Sequence, residues 1–196
     1  MDNPLATLPE LAVAAEVSQS LRLAPGVLGN DYRHPVVLAR EAATVDLLSD
    51  GRLELGIGAG WMSVDYERSG IPLERPGLRI ARLAEAIAVL KGLFAEGPFS
   101  FQGEHYRVDA LDGHPKPAQR PHPPFLIGGG GRKVLAVAAR EADIVGINAN
   151  IRSGQGGEDA ARSLSPARTD EKLAWVREAA GPRFADLEIT TLVGVV

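Results

Sequence analysis

The sequence predicts an α/β fold: a parallel sheet with helices on its outside. Three observations predict it. Short apolar runs alternate with helix-period stretches from one end of the chain to the other. The glycine-rich turns follow the apolar runs, where ligand loops of parallel sheets lie. The composition is globular, with 45% hydrophobic and 23% charged residues.

Each element has its own signal. Leu5 to Val17 reads as a helix, with Leu8, Leu11, Ala12 and Ala15 on one face. Leu21 to Leu28 reads as a short buried strand, and Gly29-Asn30-Asp31 as loop. His34-Pro35 starts a second helix, proline standing in its first turn, and Val37, Leu38, Val45 and Leu48 continue its stripe. Asp50-Gly51 is a turn before a strand over Leu53 to Ile57. Gly77 to Phe94 is the best-patterned helix, with Leu83, Ile87, Leu90 and Phe94 at helical spacing.

The second half continues the alternation. Phe99 to Gln102 and Tyr106 to Val108 form a hairpin around Gly103-Glu104. Five prolines between Pro115 and Pro124 keep the next stretch extended. Strand Phe125 to Ile127 runs into Gly128 to Gly131, and a helix spans Lys133 to Glu141. Asp143 to Ile147 is a fourth strand. Ser153 to Arg168 reads as a mobile polar loop, Thr169 to Ala180 as a helix and Leu187 to Val193 as a last strand. About five core strands result, where a closed barrel needs eight, so the chain reads as an interior slice of a barrel. It is one partial domain over residues 1–196, with a hairpin and proline-rich insertion at about 95–124 and the mobile loop at about 153–168.

Composition excludes several functions. With no cysteine among 196 residues there is no disulfide framework, thiolate metal site or cysteine nucleophile. A net charge of −4 argues against nucleic acid and acidic membranes as partners. No apolar run is long enough to span a bilayer, and the start lacks a basic and an apolar leader region, which predicts a cytoplasmic protein. The four histidines lack metal-ligand spacing, so no metal site is expected.

The strongest chemical signal is Gly128 to Gly131 between a strand and a helix. Consecutive glycines let N–H groups approach an anion, and the helix N-terminus adds partial positive charge. That points to phosphate; the alternative is a flexible turn without a ligand. Gly56-Ile57-Gly58-Ala59-Gly60 suggests a dinucleotide fingerprint, but Trp61 stands where the pattern needs glycine. Trp61 either lines an apolar pocket or packs on the Gly77 to Phe94 helix. Arg75, Arg79 and Arg82 either pair with an anionic group or form a solvated helix face laced with i,i+3 pairs, and the spacing favours the face.

Together these segments carry a resemblance. His34-Pro35 through Gly51-Arg52-Leu53-Glu54-Leu55-Gly56-Ile57-Gly58-Ala59-Gly60-Trp61 resembles the bacterial luciferase-like monooxygenase family. So do Pro115-Lys116-Pro117, Pro124-Phe125-Leu126-Ile127 with the four glycines, and Ala139 to Gly146. The flavour is that of the oxidoreductases that use the deazaflavin coenzyme F420. The resemblance implies a (β/α)8 TIM-type barrel, of which this chain covers about strands three to seven. It implies a homodimer in full-length relatives and a small organic substrate.

The resemblance also places a cofactor, either coenzyme F420 or FMN. Its ring rests on a bulge with a non-proline cis peptide, matched here by Gly26-Val27 with Gly29 just beyond. Its tail runs past Ala59 and Gly60, and its phosphate meets Gly129, Gly130, Gly131 and Lys133. Sugar-phosphate dehydrogenases of the family have a catalytic glutamate where this chain has Trp61, so a more apolar substrate is implied. The implied activity is hydride transfer between reduced F420 and an organic substrate. The alternatives are an FMN-dependent monooxygenase using O2, and a truncated, non-catalytic or partner-dependent fragment.

Overall fold

A computed structural model describes residues 6–151 and 157–191. In chain order the elements are α1 (Thr7–Val17), β1 (Leu28–Gly29), α2 (Pro35–Leu48), β2 (Leu55–Gly58), α3 (Ser63–Ser69) and α4 (Pro76–Phe94). There follow β3 (Phe99–Gln102), β4 (Arg107–Leu111), β5 (Phe125–Gly129), α5 (Arg132–Glu141) and β6 (Ile144–Ile147). The last are α6 (Glu158–Arg162), α7 (Pro166–Ala180) and β7 (Glu188–Thr190). Single 3₁₀ turns cover Asn30–Tyr32 and Gly181–Asp186.

Five strands form one sheet in the order β1-β2-β5-β6-β7, every neighbouring pair parallel. Strands β3 and β4 pair only with each other, antiparallel. Alternate residues explain the layers. Leu53, Leu55, Ile57, Phe125, Ile127, Val145 and Ile147 share one buried core with the apolar stripe of α4. Each such side chain contributes about 2 kcal/mol when fully buried. Because the strands run the same way, all their carboxyl ends lie on one rim. The residues just beyond them are Asn30, Ala59, Gly130, Asn148 and Thr191.

Several sequence expectations are corrected. The strand expected over Leu21 to Leu28 is broken: Leu23 makes one parallel bridge to Leu53, and pairing resumes only at Leu28. Pro25 has no N–H for the ladder, and the chain bulges between the two pairings. Strand β2 runs later than expected, to Gly58. In β5, Gly128 and Gly129 are ladder residues opposite Gly146 and Ile147, not loop. On α2, Val37 and Leu48 are exposed; Ala39, Ala42 and Ala43 join Leu38 and Val45 on the buried face.

The polar stretch read as a loop from Ser153 carries α6, with Glu158 and Asp159 in its first turn and Arg162 in its last. Helix α7 then starts at Pro166, ahead of the expected Thr169, with proline in its first turn. Residues 153–156 of that stretch lie outside the described residues. Short α3, closed by Gly70 in the left-handed region (φ 71°), was not signalled by any apolar stripe. The last strand is found over Glu188–Thr190, while Leu192 and Val193 lie outside the described residues.

Candidate functional site

The bulge between Leu23 and Leu28 is the first feature of the site, just ahead of β1. The Gly26–Val27 peptide bond is cis, the conformation that the resemblance implies there. The bulge explains two glycines of β2. A Cβ on Gly56 would stand 1.9 Å from the Pro25 carbonyl oxygen, and one on Gly58 would meet Val27 Cγ2 at 2.9 Å. The Gly56-Ile57-Gly58 pattern is thus what lets β1 bulge against β2, which accounts for it without a dinucleotide. Gly26 faces open space, and Val27 is 37% exposed.

Next, on the rim itself, is the loop Ala59–Trp61. It is held from below by Arg79, which is buried in spite of its charge. Its Nη1 donates to the Ala59 carbonyl at 2.8 Å and to the Gly60 carbonyl, and its Nε donates to the Glu74 carbonyl at 2.8 Å. Gly60 is in the left-handed region (φ 74°), and a Cβ there would collide with the Tyr66 hydroxyl. That hydroxyl donates to Asp31 Oδ2 at 2.9 Å, and Arg82 Nη1 donates to Asp31 Oδ1 at 2.9 Å. Arg82 also pairs with Glu74. Burial first, then the Asp31 hydrogen bond, push the Tyr66 phenol well up, so it stays a donor. Arg79 and Arg82 are therefore an internal clamp, not part of a solvated helix face, whereas Arg75 is exposed at the start of α4 as expected.

Trp61 follows this clamp with 41% of its surface exposed, outside the packed core. Gly29, at the end of β1, has a packing reason of its own. A Cβ there would come within 2.7 Å of the Tyr32 ring.

Across the sheet, β5 runs into α5. Gly131 is the N-cap of α5 and makes no side-chain cap bond, so the first-turn N–H groups are left for another acceptor. A Cβ on Gly131 would meet nothing within 4 Å. Gly129 and Gly130 are different. A Cβ on Gly129 would strike Val134, and one on Gly130 would lie 2.1 Å from the Ala149 carbonyl oxygen. Lys133 is exposed in the first turn, and Arg132 beside it pairs with Glu178 at 2.7 Å.

The neighbouring β6 end is held by Lys172 of α7. Its buried Nζ donates to the carbonyls of Asn148 (2.7 Å) and Ser163 (2.6 Å). Burial pushes this ammonium below the usual lysine range. Ser163 Oγ accepts from Asn150 N–H at 2.8 Å, and Asn148 N–H donates to the Gly129 carbonyl at 3.0 Å.

Of the ten residues singled out from the sequence, Gly29, Ala59, Gly60, Trp61, Gly129, Gly130, Gly131 and Lys133 lie at or just beyond the carboxyl ends of β1, β2 and β5, while Gly26 and Val27 precede β1, with Val27 against Gly56 and Gly58 of β2. Of the glycines, Gly26 and Gly131 leave open space; Gly29, Gly60, Gly129 and Gly130 meet internal neighbours. Asp31, Tyr66, Arg79, Arg82 and Lys172 were missed as site residues. Arg79 had a signal: it lies four residues before Leu83, on the buried stripe of α4. Lys172 likewise lies four before buried Val176.

An open backbone at Gly26 and an uncapped helix start at Gly131 fit a flat ring with an anionic tail. Among the described residues no group of three or more His, Cys, Asp or Glu could hold a metal ion, and no helix is long and apolar enough to cross a membrane.

Comparison with known proteins shows the family and the fold. The model of the luciferase-like monooxygenase family matches residues 2–174. The FMNH2-dependent dimethylsulfone monooxygenase of Pseudomonas putida is 31% identical over 137 residues, 70% of this chain and 38% of its own length. The F420-dependent glucose-6-phosphate dehydrogenase of Intrasporangium calvum is 33% identical over 167 residues, 84% of this chain and 48% of its own. Among solved structures, the coenzyme F420-dependent tetrahydromethanopterin reductase of Methanopyrus kandleri superposes with a TM-score of 0.81 at 20% identity. It covers 96% of this chain and 54% of that one. The fold is that of the luciferase-like β/α barrels, and the chain spans less than half the length of the two curated relatives.

Proposed function

Because the chain belongs to the luciferase-like monooxygenase family, we propose that it holds the cofactor of an oxidoreductase that moves hydride between reduced coenzyme F420 and an organic substrate. One observation carries the reading. The open bulge at Gly26–Val27 leads into β1, and the uncapped start of α5 at Gly131 follows β5, two strands away in the same parallel sheet. The first suits a flat ring and the second an anion.

When bound, the cofactor supplies the hydride chemistry at its ring. The chain supplies position. Val27 is the surface on which the ring would rest. The Ala59–Gly60 loop, fixed by Arg79, borders the cofactor. The first-turn N–H groups of α5 and exposed Lys133 would hold the phosphate. Trp61 offers an apolar face on the substrate side, in a family where sugar-phosphate dehydrogenases use glutamate at that place.

Relatives with FMN support a second reading, an FMN-dependent monooxygenase, because both cofactors present a flat ring and a phosphate to the same site. Titration of this chain with F420 and with FMN, followed by fluorescence, separates the two. Tighter F420 binding is expected. Equal or tighter FMN binding overturns the deazaflavin preference in favour of the second reading. Binding of neither overturns both.

A further inference from the structure

Lys172 is a buried cation held by carbonyls. It is 3% exposed, and both of its hydrogen-bond partners are backbone carbonyls. Among the described residues no Asp or Glu forms an ion pair with it; its neighbour Glu171, which pairs with Arg168 at 2.7 Å, acts on it only through its field. Burying an ammonium is costly, and the two carbonyls it binds must therefore be held in place for it.

Its place in the fold is specific. Lys172 ties Asn148 to Ser163, and Ser163 Oγ ties Asn150, so both ends of the Asn148–Asn150 loop are pinned by this pair. The loop in turn fixes the glycine turn of β5. Asn148 N–H bonds to the Gly129 carbonyl, and the backbone of Ala149 and Asn150 fills the space beside Gly130. A chain of contacts thus runs from the ammonium to Gly129 and Gly130, next to the N-cap Gly131 of α5.

We propose that Lys172 is a positioning residue of the anion cradle: through the Asn148–Asn150 loop it sets the Gly129–Gly131 turn on which a phosphate would rest. This rests on the cofactor reading above, and it assigns the phosphate preference to a residue that need not touch the ligand. It contrasts with a packing role, in which loss of Lys172 would weaken every ligand alike.

The test compares FMN with riboflavin, and F420 with its phosphate-free deazariboflavin core, on the wild type, Lys172→Met and Lys172→Gln. The two variants should raise the Kd of the phosphate-bearing ligands about tenfold. The Kd of the phosphate-free rings should stay within about twofold, since the bulge and the Ala59–Gly60 loop are untouched. Equal weakening of both ligand classes, or no weakening of either, overturns the proposal. Lys172→Gln keeps a neutral donor toward the carbonyls and carries the test if Lys172→Met does not fold. A wild type that binds none of the four ligands overturns the cofactor reading itself. A wild type that binds while the variants keep its phosphate preference overturns the role of Lys172 alone.

Discussion

Around Ala59–Trp61, Arg82 pairs with both the Asp31 and the Glu74 carboxylates, and buried Arg79 beside it donates to the carbonyls of Ala59, Gly60 and Glu74. Around Asn148–Asn150, Lys172 meets only carbonyls. Both sides use a buried cation to hold a strand-end loop by its carbonyl oxygens. The difference lies in what is left over. The β2 side is close to electrically balanced, as suits an uncharged ring and an apolar substrate. The β5–β6 side offers an uncapped helix start and exposed Lys133, as suits a phosphate. On the proposed reading, the two sides would hold the two ends of one cofactor.

The largest expected effect comes from breaking the balanced side. Asp31 is 1% exposed and accepts from both Tyr66 and Arg82. Asp31→Ala should destabilise the chain by about 3 kcal/mol, because it leaves a guanidinium and a phenol without their shared acceptor. Urea unfolding checks this, and a loss below about 1 kcal/mol would mean that the clamp is not a unit.

Two adjacent glycines sharpen the contrast on the other side. Gly130→Ala places a methyl 2.1 Å from the Ala149 carbonyl oxygen and 2.5 Å from Asn150 N. It should cost about 2 kcal/mol in the same unfolding experiment. Gly131→Ala meets nothing and should leave stability within about 0.5 kcal/mol. It should nevertheless weaken FMN or F420 severalfold, because the methyl occupies space that the ligand needs. Unchanged binding would place the phosphate elsewhere.

The smallest effect concerns the hairpin outside the barrel. Glu85 of α4 accepts the N–H groups of Glu104, His105 and Tyr106 at the β3–β4 turn. Burial raises its pKa, but these three donors outweigh it and the net shift is downward. Its contribution is therefore present above the usual carboxylate pKa and is lost as pH falls through the lowered folded value. The amides of residues 104–106 should lose hydrogen-exchange protection, after correction for intrinsic rates, on that acid limb, with those of β2 and β5 unchanged.

Much of this was legible in the sequence. The alternating apolar runs give the parallel sheet, and the Leu83–Phe94 stripe gives α4 nearly to the residue. The strand-end glycines locate the rim. Their reasons were not legible. Gly56 answers to Pro25, Gly60 to Tyr66 and Gly130 to Ala149, each a partner distant in sequence that only the fold brings near. The buried cations were hidden for a related reason. Arg79 and Lys172 sit on apolar stripes, where a charged residue reads as an interruption until its carbonyl partners are known. The Pro25–Val27 bulge broke a run that is apolar but for Arg22, because the missing proline N–H matters only beside a partner strand.

The division of the rim is most directly tested by backbone amide shifts of the isotopically labelled chain during titration with inorganic phosphate. The account predicts that the amides of Gly131, Arg132 and Lys133 move saturably while those of Ala59, Gly60 and Trp61 stay in place. Movement at the β2 loop instead, or no saturable movement at the start of α5, would contradict it.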